Sequence, residues 1–340
     1  MKQNTTRIYG CVTVILLILI YGFFNMPNRN QAVNLTQEQS HYKIGVLQLL
    51  SHPALDRIYE GLVDGLEASG YVDGENMTLD LKNAQGDQGH LNMMSTQLVQ
   101  DANDVIVGIT TPATLSLANS TSTIPIVMGG ITYPVEAGLM KSEVASENNV
   151  TGVSDRTPIK DQLILMKDVL PSLNTVGILY TTSEDNATKQ ASEAKEIIEA
   201  MGWTAIEATV NHSNDIQPVT EHLARQVDAI YIPIDNTIAS AMNIVIPITD
   251  QYNVPVFPSS DTMVADGGVL AIGVDQYQIG YQTSQVVVEV LKGKRPTHIP
   301  LVLANEGIIY INKNKATQFN IQLPSTNQKQ VIDVNVTQSK

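Results

Sequence analysis

The chain has 340 residues, 43% of them hydrophobic and 16% charged, with a net charge of −14. That length suits two domains of roughly 100–200 residues each, and the composition excludes wholesale disorder. An acidic chain without a Lys/Arg stripe lacks the face a polyanion requires, so nucleic acid is excluded as a partner.

The N-terminus comes first. Lys2 and Arg7 precede an uncharged, mostly apolar run from Ile8 to Phe24, near the lower limit for crossing a bilayer. Basic residues before the run and an acidic body after it predict an N-inside, C-outside orientation. The best small-residue site, Asn30-Gln31-Ala32, does not match the small-x-small cleavage rule. The only cysteine, Cys11, lies too early in the run for a lipobox. The expectation is a membrane anchor over residues 1–30, with a cleaved signal segment as the alternative, and a polar linker over 31–40. A single cysteine also excludes an internal disulfide and a cysteine-cluster metal site. A thiol-free body suits an exterior compartment.

From His41 onward, short apolar strands alternate with helical patterns. Lys43–Leu50 reads as a buried parallel strand. Ala54–Ser69 repeats Leu55, Ile58, Leu62 and Leu66 at helical spacing and ends at Gly70, a C′ glycine. Strand Met77–Lys82, helix Gly89–Asp101, strand Val105–Ile109, helix Pro112–Ser120 and strand Ile124–Gly129 follow. A second series opens with a helix through Leu170, its first turn at Pro158 and its N-cap expected at Thr157. Then come strand Thr175–Tyr180, helix Glu184–Met201, strand Thr204–Val210, helix Asp215–Val227 and strand Ala229–Pro233. Helix Asn236–Tyr252, strands Val254–Pro258 and Leu270–Val274, and helix Tyr277–Leu291 complete the order.

Strand–helix–strand units at this spacing define an α/β fold of two Rossmann-like, doubly wound parallel-sheet lobes with a ligand cleft between them. The expected first lobe is 41–155 plus about 274–300. The second is 156–273 plus about 301–325, with a tail over 326–340.

In such sheets ligands bind beyond the carboxyl ends of the strands. In the first series those places hold Ser51-His52-Pro53, Thr110-Thr111-Pro112 and Gly129-Gly130-Ile131-Thr132. In the second they hold Thr181-Thr182-Ser183, Asp235-Asn236-Thr237 and Ser259-Ser260-Asp261. Thr151–Arg156 marks the crossover between lobes. The Thr110-Thr111 turn offers hydroxyls and unpaired helix N–H groups to an anion, although an ordinary N-cap uses the same residues. Asp155, Asp235 and Asp261 are candidates for a ligand ammonium, with helix capping the competing role for the last two. His52 is a candidate for the ligand side chain, or merely a loop histidine. No metal site is expected, because the six histidines are dispersed. Neither a Gly-x-Ser-x-Gly elbow nor a Gly-rich phosphate loop occurs, so no catalytic role and no cofactor are expected. One Trp and four Phe argue against a Trp-lined sugar cleft.

Several blocks, taken together, carry a family resemblance. They are Ser51-His52-Pro53-Ala54-Leu55-Asp56, Ile109-Thr110-Thr111-Pro112-Ala113, Thr151-Gly152-Val153-Ser154-Asp155 with Thr157-Pro158, Ile234-Asp235-Asn236-Thr237, and Ser259-Ser260-Asp261-Thr262 running into Gly267-Gly268 and Ile272-Gly273-Val274-Asp275. From about His41 to Ile311 the chain resembles bacterial ABC-transporter substrate-binding proteins of the tryptophan/aromatic amino acid type. The resemblance implies a type I periplasmic-binding-protein fold that captures a small amino acid for a permease and an ATPase. It also implies a ligand carboxylate on Thr110-Thr111 and an ammonium on acidic loop residues, Asp155 first. Asn236 and Ser260 would complete that shell. The missing lipobox departs from the Gram-positive habit. A membrane-tethered sensor, a binding protein for another solute and an enzyme on the same plan remain the rival readings.

Overall fold

A computed structural model describes residues 41–304, 307–324 and 329–335. The expected anchor at 8–24 and the linker at 31–40 lie outside the described residues. Among the described residues no helix is long and apolar enough to cross a membrane. The compact unit that carries the fold begins at His41.

The first lobe is built on β1 (Tyr42–Gln48), α1 (Pro53–Ala68), β2 (Met77–Asn83), α2 (Gln88–Gln100), β3 (Val105–Ile109), α3 (Thr111–Ser120), β4 (Ile126–Gly129) and β5 (Val150–Ser154). Their strands, with β11 (Val302–Leu303), form a six-stranded sheet in the order β11-β5-β4-β3-β1-β2. Each neighbouring pair is parallel. Helices cover both faces, which is why every residue of the apolar β3 is buried. Leu55, Ile58, Leu62 and Leu66 all turn inward from α1, and Gly70 follows its C-cap at φ 86°.

The second lobe contains α4 (Ile159–Val169), β6 (Thr175–Thr181), α5 (Asp185–Ala200), β7 (Thr204–Val210), α6 (Ile216–Ala224), β8 (Ala229–Ile232), α7 (Asn236–Ala239), α8 (Met242–Gln251), β9 (Val256–Pro258), α9 (Asp261–Ala265) and β10 (Leu270–Gly273). Its parallel four-stranded sheet runs β7-β6-β8-β9. A three-stranded sheet continues beside it through β10, β12 (Ile308–Ile311) and β13 (Val331–Asp333). There β10 and β12 are antiparallel. Helix α10 (Gln276–Leu291) returns to the first lobe and packs along α1, while α11 (Lys313–Gln318) follows β12. A Cβ at Gly280 would lie 1.9 Å from the Ile58 carbonyl oxygen, and one at Gly61 2.1 Å from that of Tyr277. Only glycine permits so close a helix pair.

Several local expectations change. The helix expected over 236–252 is two helices, because Ala241 between them leaves helical geometry. Thr157 does not cap α4. Pro158 holds the cap position, and the Thr157 hydroxyl accepts from Gln190 Nε2 at 2.9 Å. Val302–Leu303 pair with β5 in the first lobe's sheet. Within the stretch expected as a tail, β13 pairs with β12.

Candidate functional site

The N-termini of α1, α3, α5, α7, α9 and α10 converge on one cavity walled by both lobes. The cavity is about 20 Å³. That is room for about one water, so a solute is admitted only when the lobes part. Among the described residues, hydrogen bonds that bridge the lobes run from His52 to Asn236 at 3.2 Å and from Tyr133 Oη to Glu193 Oε2 at 2.8 Å.

On the first-lobe wall, Thr110 ends β3 and caps α3 with φ 84° and ψ 161°. A threonine held at that φ costs about 1–3 kcal/mol and persists only where the surroundings impose it. Its N–H donates to the Gly129 carbonyl at 3.2 Å and its carbonyl accepts from Thr114 N–H at 3.1 Å. Its hydroxyl makes no cap bond; Oγ1 is buried without a partner. Thr111 follows, and Pro112 supplies no N–H. The first N–H groups of α3 therefore remain available at the positive end of its dipole.

Asp155 stands where the chain leaves β5. It is buried, and Oδ1 has no partner. Burial pushes its carboxyl up to about 6, against the opposing hydrogen bond from Thr132. Gly130 lies beside it at φ 74°, where a Cβ would approach Ile58 Cδ1 to 3.1 Å and Asp155 Oδ2 to 3.6 Å. A side chain there would crowd this corner.

On the second-lobe wall, Asn186 in the first turn of α5 donates Nδ2 to the Ile234 carbonyl at 2.9 Å. That bond fixes the amide and leaves Oδ1 buried without a partner. Asp235 accepts from Thr181 N–H at 2.5 Å and from Ile238 N–H at 2.8 Å. Its carboxylate ties β6 to the start of α7, as the capping role requires. Glu184 lies behind it, accepting from the Asn236 amide, Thr237 N–H and Thr237 Oγ1. Burial raises both carboxyls, and Glu184 raises Asp235 further. Asn236 directs its side-chain oxygen at His52. Because His52 Nδ1 accepts from Ala54 N–H at 3.3 Å, its hydrogen sits on Nε2 and is donated to Asn236. Burial lowers the His52 pKa.

His52, Thr110, Thr111, Asp155, Asp235, Asn236 and Ser260 thus share the cavity wall. Ser260 spends its hydroxyl on Met263 N–H at 3.4 Å. Ser51 is not in the wall; it is exposed and donates to Asp56 Oδ2 at 2.7 Å. Asp261 also lies outside it and does not cap α9, since Ser260 does. Its buried Oδ1 has no partner, and burial, then Asp275, pushes the carboxyl up to about 7. Sequence reasoning missed Asn186 and Gln276, both of which line the cavity beside Thr132 of the expected Gly129–Thr132 loop. Asn186 lies only a few residues past the Thr181-Thr182-Ser183 loop, the one signal that could have found it. Among the described residues the wall carries no Trp, Tyr or Phe. Among the described residues no cluster of three His, Cys, Asp or Glu could hold a metal.

Two α/β lobes shut on a cavity with orphan donors and acceptors define a protein that captures a small solute. The chain belongs to the ABC transporter substrate binding protein family, whose profile matches residues 43–334. It is 33% identical over 298 residues to the tyrosine-binding protein of Clostridioides difficile strain R20291, covering 88% of this chain and 86% of that one. A Streptococcus pneumonia ABC domain in complex with L-Trp shares 40% identity at a TM-score of 0.83, covering 86% of this chain and 100% of that one. A ligand-free, open substrate-binding protein with adhesive properties from Clostridium difficile shares 32% identity at a TM-score of 0.66, covering 86% and 99%. The fold is the type I periplasmic-binding-protein fold.

Proposed function

We propose that this substrate-binding protein captures an aromatic amino acid outside the cytoplasm and delivers it to the permease and ATPase of an ABC importer. The observation that carries this reading is the convergence of three orphan polar atoms, Thr110 Oγ1, Asp155 Oδ1 and Asn186 Oδ1, on one cavity. A buried polar atom without a partner is costly, and a ligand that supplies the partner recovers that cost on binding. The groups suit an α-amino acid. The hydroxyls of Thr110 and Thr111 and the free N–H groups of α3 donate to a carboxylate. Asp155 and Asn186 accept from an ammonium. Asp235, Asn236 and Ser260 act one step back, by holding α7, His52 and α9 in place. The tyrosine and tryptophan ligands of the relatives support an aromatic side chain.

The N-terminal run Ile8–Phe24 serves in this reading as the membrane anchor, so the full chain should leave the membrane fraction only with detergent; release without detergent would rule the anchor out. Titration of the full-length chain with L-tryptophan, L-tyrosine and L-phenylalanine tests the ligand. Thr110→Val, which keeps the shape and deletes the hydroxyl, should weaken whichever binds by at least about fivefold; unchanged affinity would remove Thr110 from the carboxylate site.

A further inference from the structure

The cleft has two distinguishable edges. Helix α3 packs against α5 along one, and α1 packs against α9 and α10 along the other. Thr110, Thr111 and Asn186 belong to the first edge. Thr111 and Asn186 also line the surface recess that opens beside it. The second edge presents Leu55 and Ile58 from α1, Met263 from α9 and Gln276 from α10. Gln276 stands one helical turn before Gly280, whose backbone touches Ile58, so its side chain shares the face of α10 that meets α1.

Gln276 is 4% exposed. None of the hydrogen bonds among the described residues engages its amide, and it lines the cavity. A buried primary amide brings two N–H donors and a carbonyl acceptor. Here it shares the cavity wall with the aliphatic and thioether groups of Leu55, Ile58 and Met263, and the cavity can offer it a partner.

We infer that Gln276 sets ligand specificity: its amide bonds a polar group on the ring of the bound amino acid, so the site prefers tyrosine or tryptophan to phenylalanine. This rests on the aromatic amino acid reading. With the carboxylate at α3 and the ammonium at Asp155 and Asn186, the side chain points to the α1/α9/α10 edge. Leu55, Ile58 and Met263 there offer flat apolar contact to a ring. An indole N–H donates to the amide carbonyl, and a phenol O–H can donate or accept. A phenyl ring fills the same slot but leaves the amide unpaired, and a site built around a hydrogen bond discriminates strongly against a ligand lacking it.

Calorimetry on the full-length wild-type chain and on Gln276→Met, which keeps the volume and removes the amide, separates the possibilities. The wild type should bind tryptophan or tyrosine at least about tenfold more tightly than phenylalanine. In Gln276→Met the preferred ligand should weaken about tenfold while phenylalanine changes less than about twofold. Equal wild-type affinities for all three, or equal weakening of all three in the variant, would overturn the assignment and leave the aromatic reading standing. Binding of none of the three to the wild type would overturn both.

Discussion

The imidazole of His52, on the first lobe, donates to the side-chain oxygen of Asn236, on the second, across 3.2 Å. This bond can exist only while the lobes are shut. Both ends are held from behind, His52 by Ala54 N–H and Asn236 by Glu184. In the shut state the pair therefore latches one wall of the cavity to the other. His52→Phe keeps a ring but deletes the donor, leaving the Asn236 oxygen unpaired in the closed state. Ligand affinity should fall about three- to tenfold, chiefly through faster release. Stopped-flow dissociation measurements check this, and an unchanged off-rate would show that the latch does not bias closure.

Asp155 is expected to trade stability for binding. Its carboxyl, raised to about 6 by burial, holds a proton more tightly in the folded chain than in the unfolded one. The stability it contributes to the empty protein is therefore largest below about pH 4, falls as pH rises through about 6, and then levels off. Asp155→Asn escapes that loss. Ligand-free, the variant should be about 1–3 kcal/mol more stable than the wild type at pH 7, with the gap closing below about pH 4. Ligand affinity should move the opposite way. An ammonium requires the charged form, so wild-type affinity should decline as pH falls below about 6. Thermal melts and calorimetry from pH 4 to 8 read both trends. A variant no more stable at pH 7 than at pH 4, relative to wild type, would contradict this account of the buried carboxyl.

Thr110 should show a similar conflict, from backbone strain. Its φ of 84° suits glycine, so Thr110→Gly relieves about 1–3 kcal/mol against about 0.5–1 kcal/mol of added chain entropy. The melting temperature of the empty protein should hold or rise while ligand affinity drops at least about fivefold. A lower melting temperature with full affinity would assign the threonine to structure alone.

Legibility from sequence followed the range of the interactions. The β3–Thr110-Thr111-Pro112 turn was readable because a buried apolar strand, a hydroxyl pair and a first-turn proline are adjacent in the chain. Thr110's strain was not, since it depends on Gly129 and Thr114 fixing the turn. Asn186 was overlooked because its amide is oriented by the Ile234 carbonyl, 48 residues away. Gln276 reaches the cleft only through the glycine-lined contact of α10 with α1, between segments that local periodicity cannot bring together. Asp235 was visible, but choosing between cap and ligand group needed the positions of Thr181 and Ile238. Asp261 resembled a cap, and the neighbouring serine took that role.

Isothermal titration of the full-length chain with L-tryptophan, L-tyrosine and L-phenylalanine, alongside glucose and ribose, tests the central claim most directly. At least one aromatic amino acid should bind with a dissociation constant of about 1 μM or tighter, near −8 kcal/mol. Asp155→Asn should weaken it by at least about tenfold, as expected when a charge-assisted hydrogen bond is lost, and the sugars should give no binding heat. Saturable binding of a sugar with none of any amino acid would contradict the account.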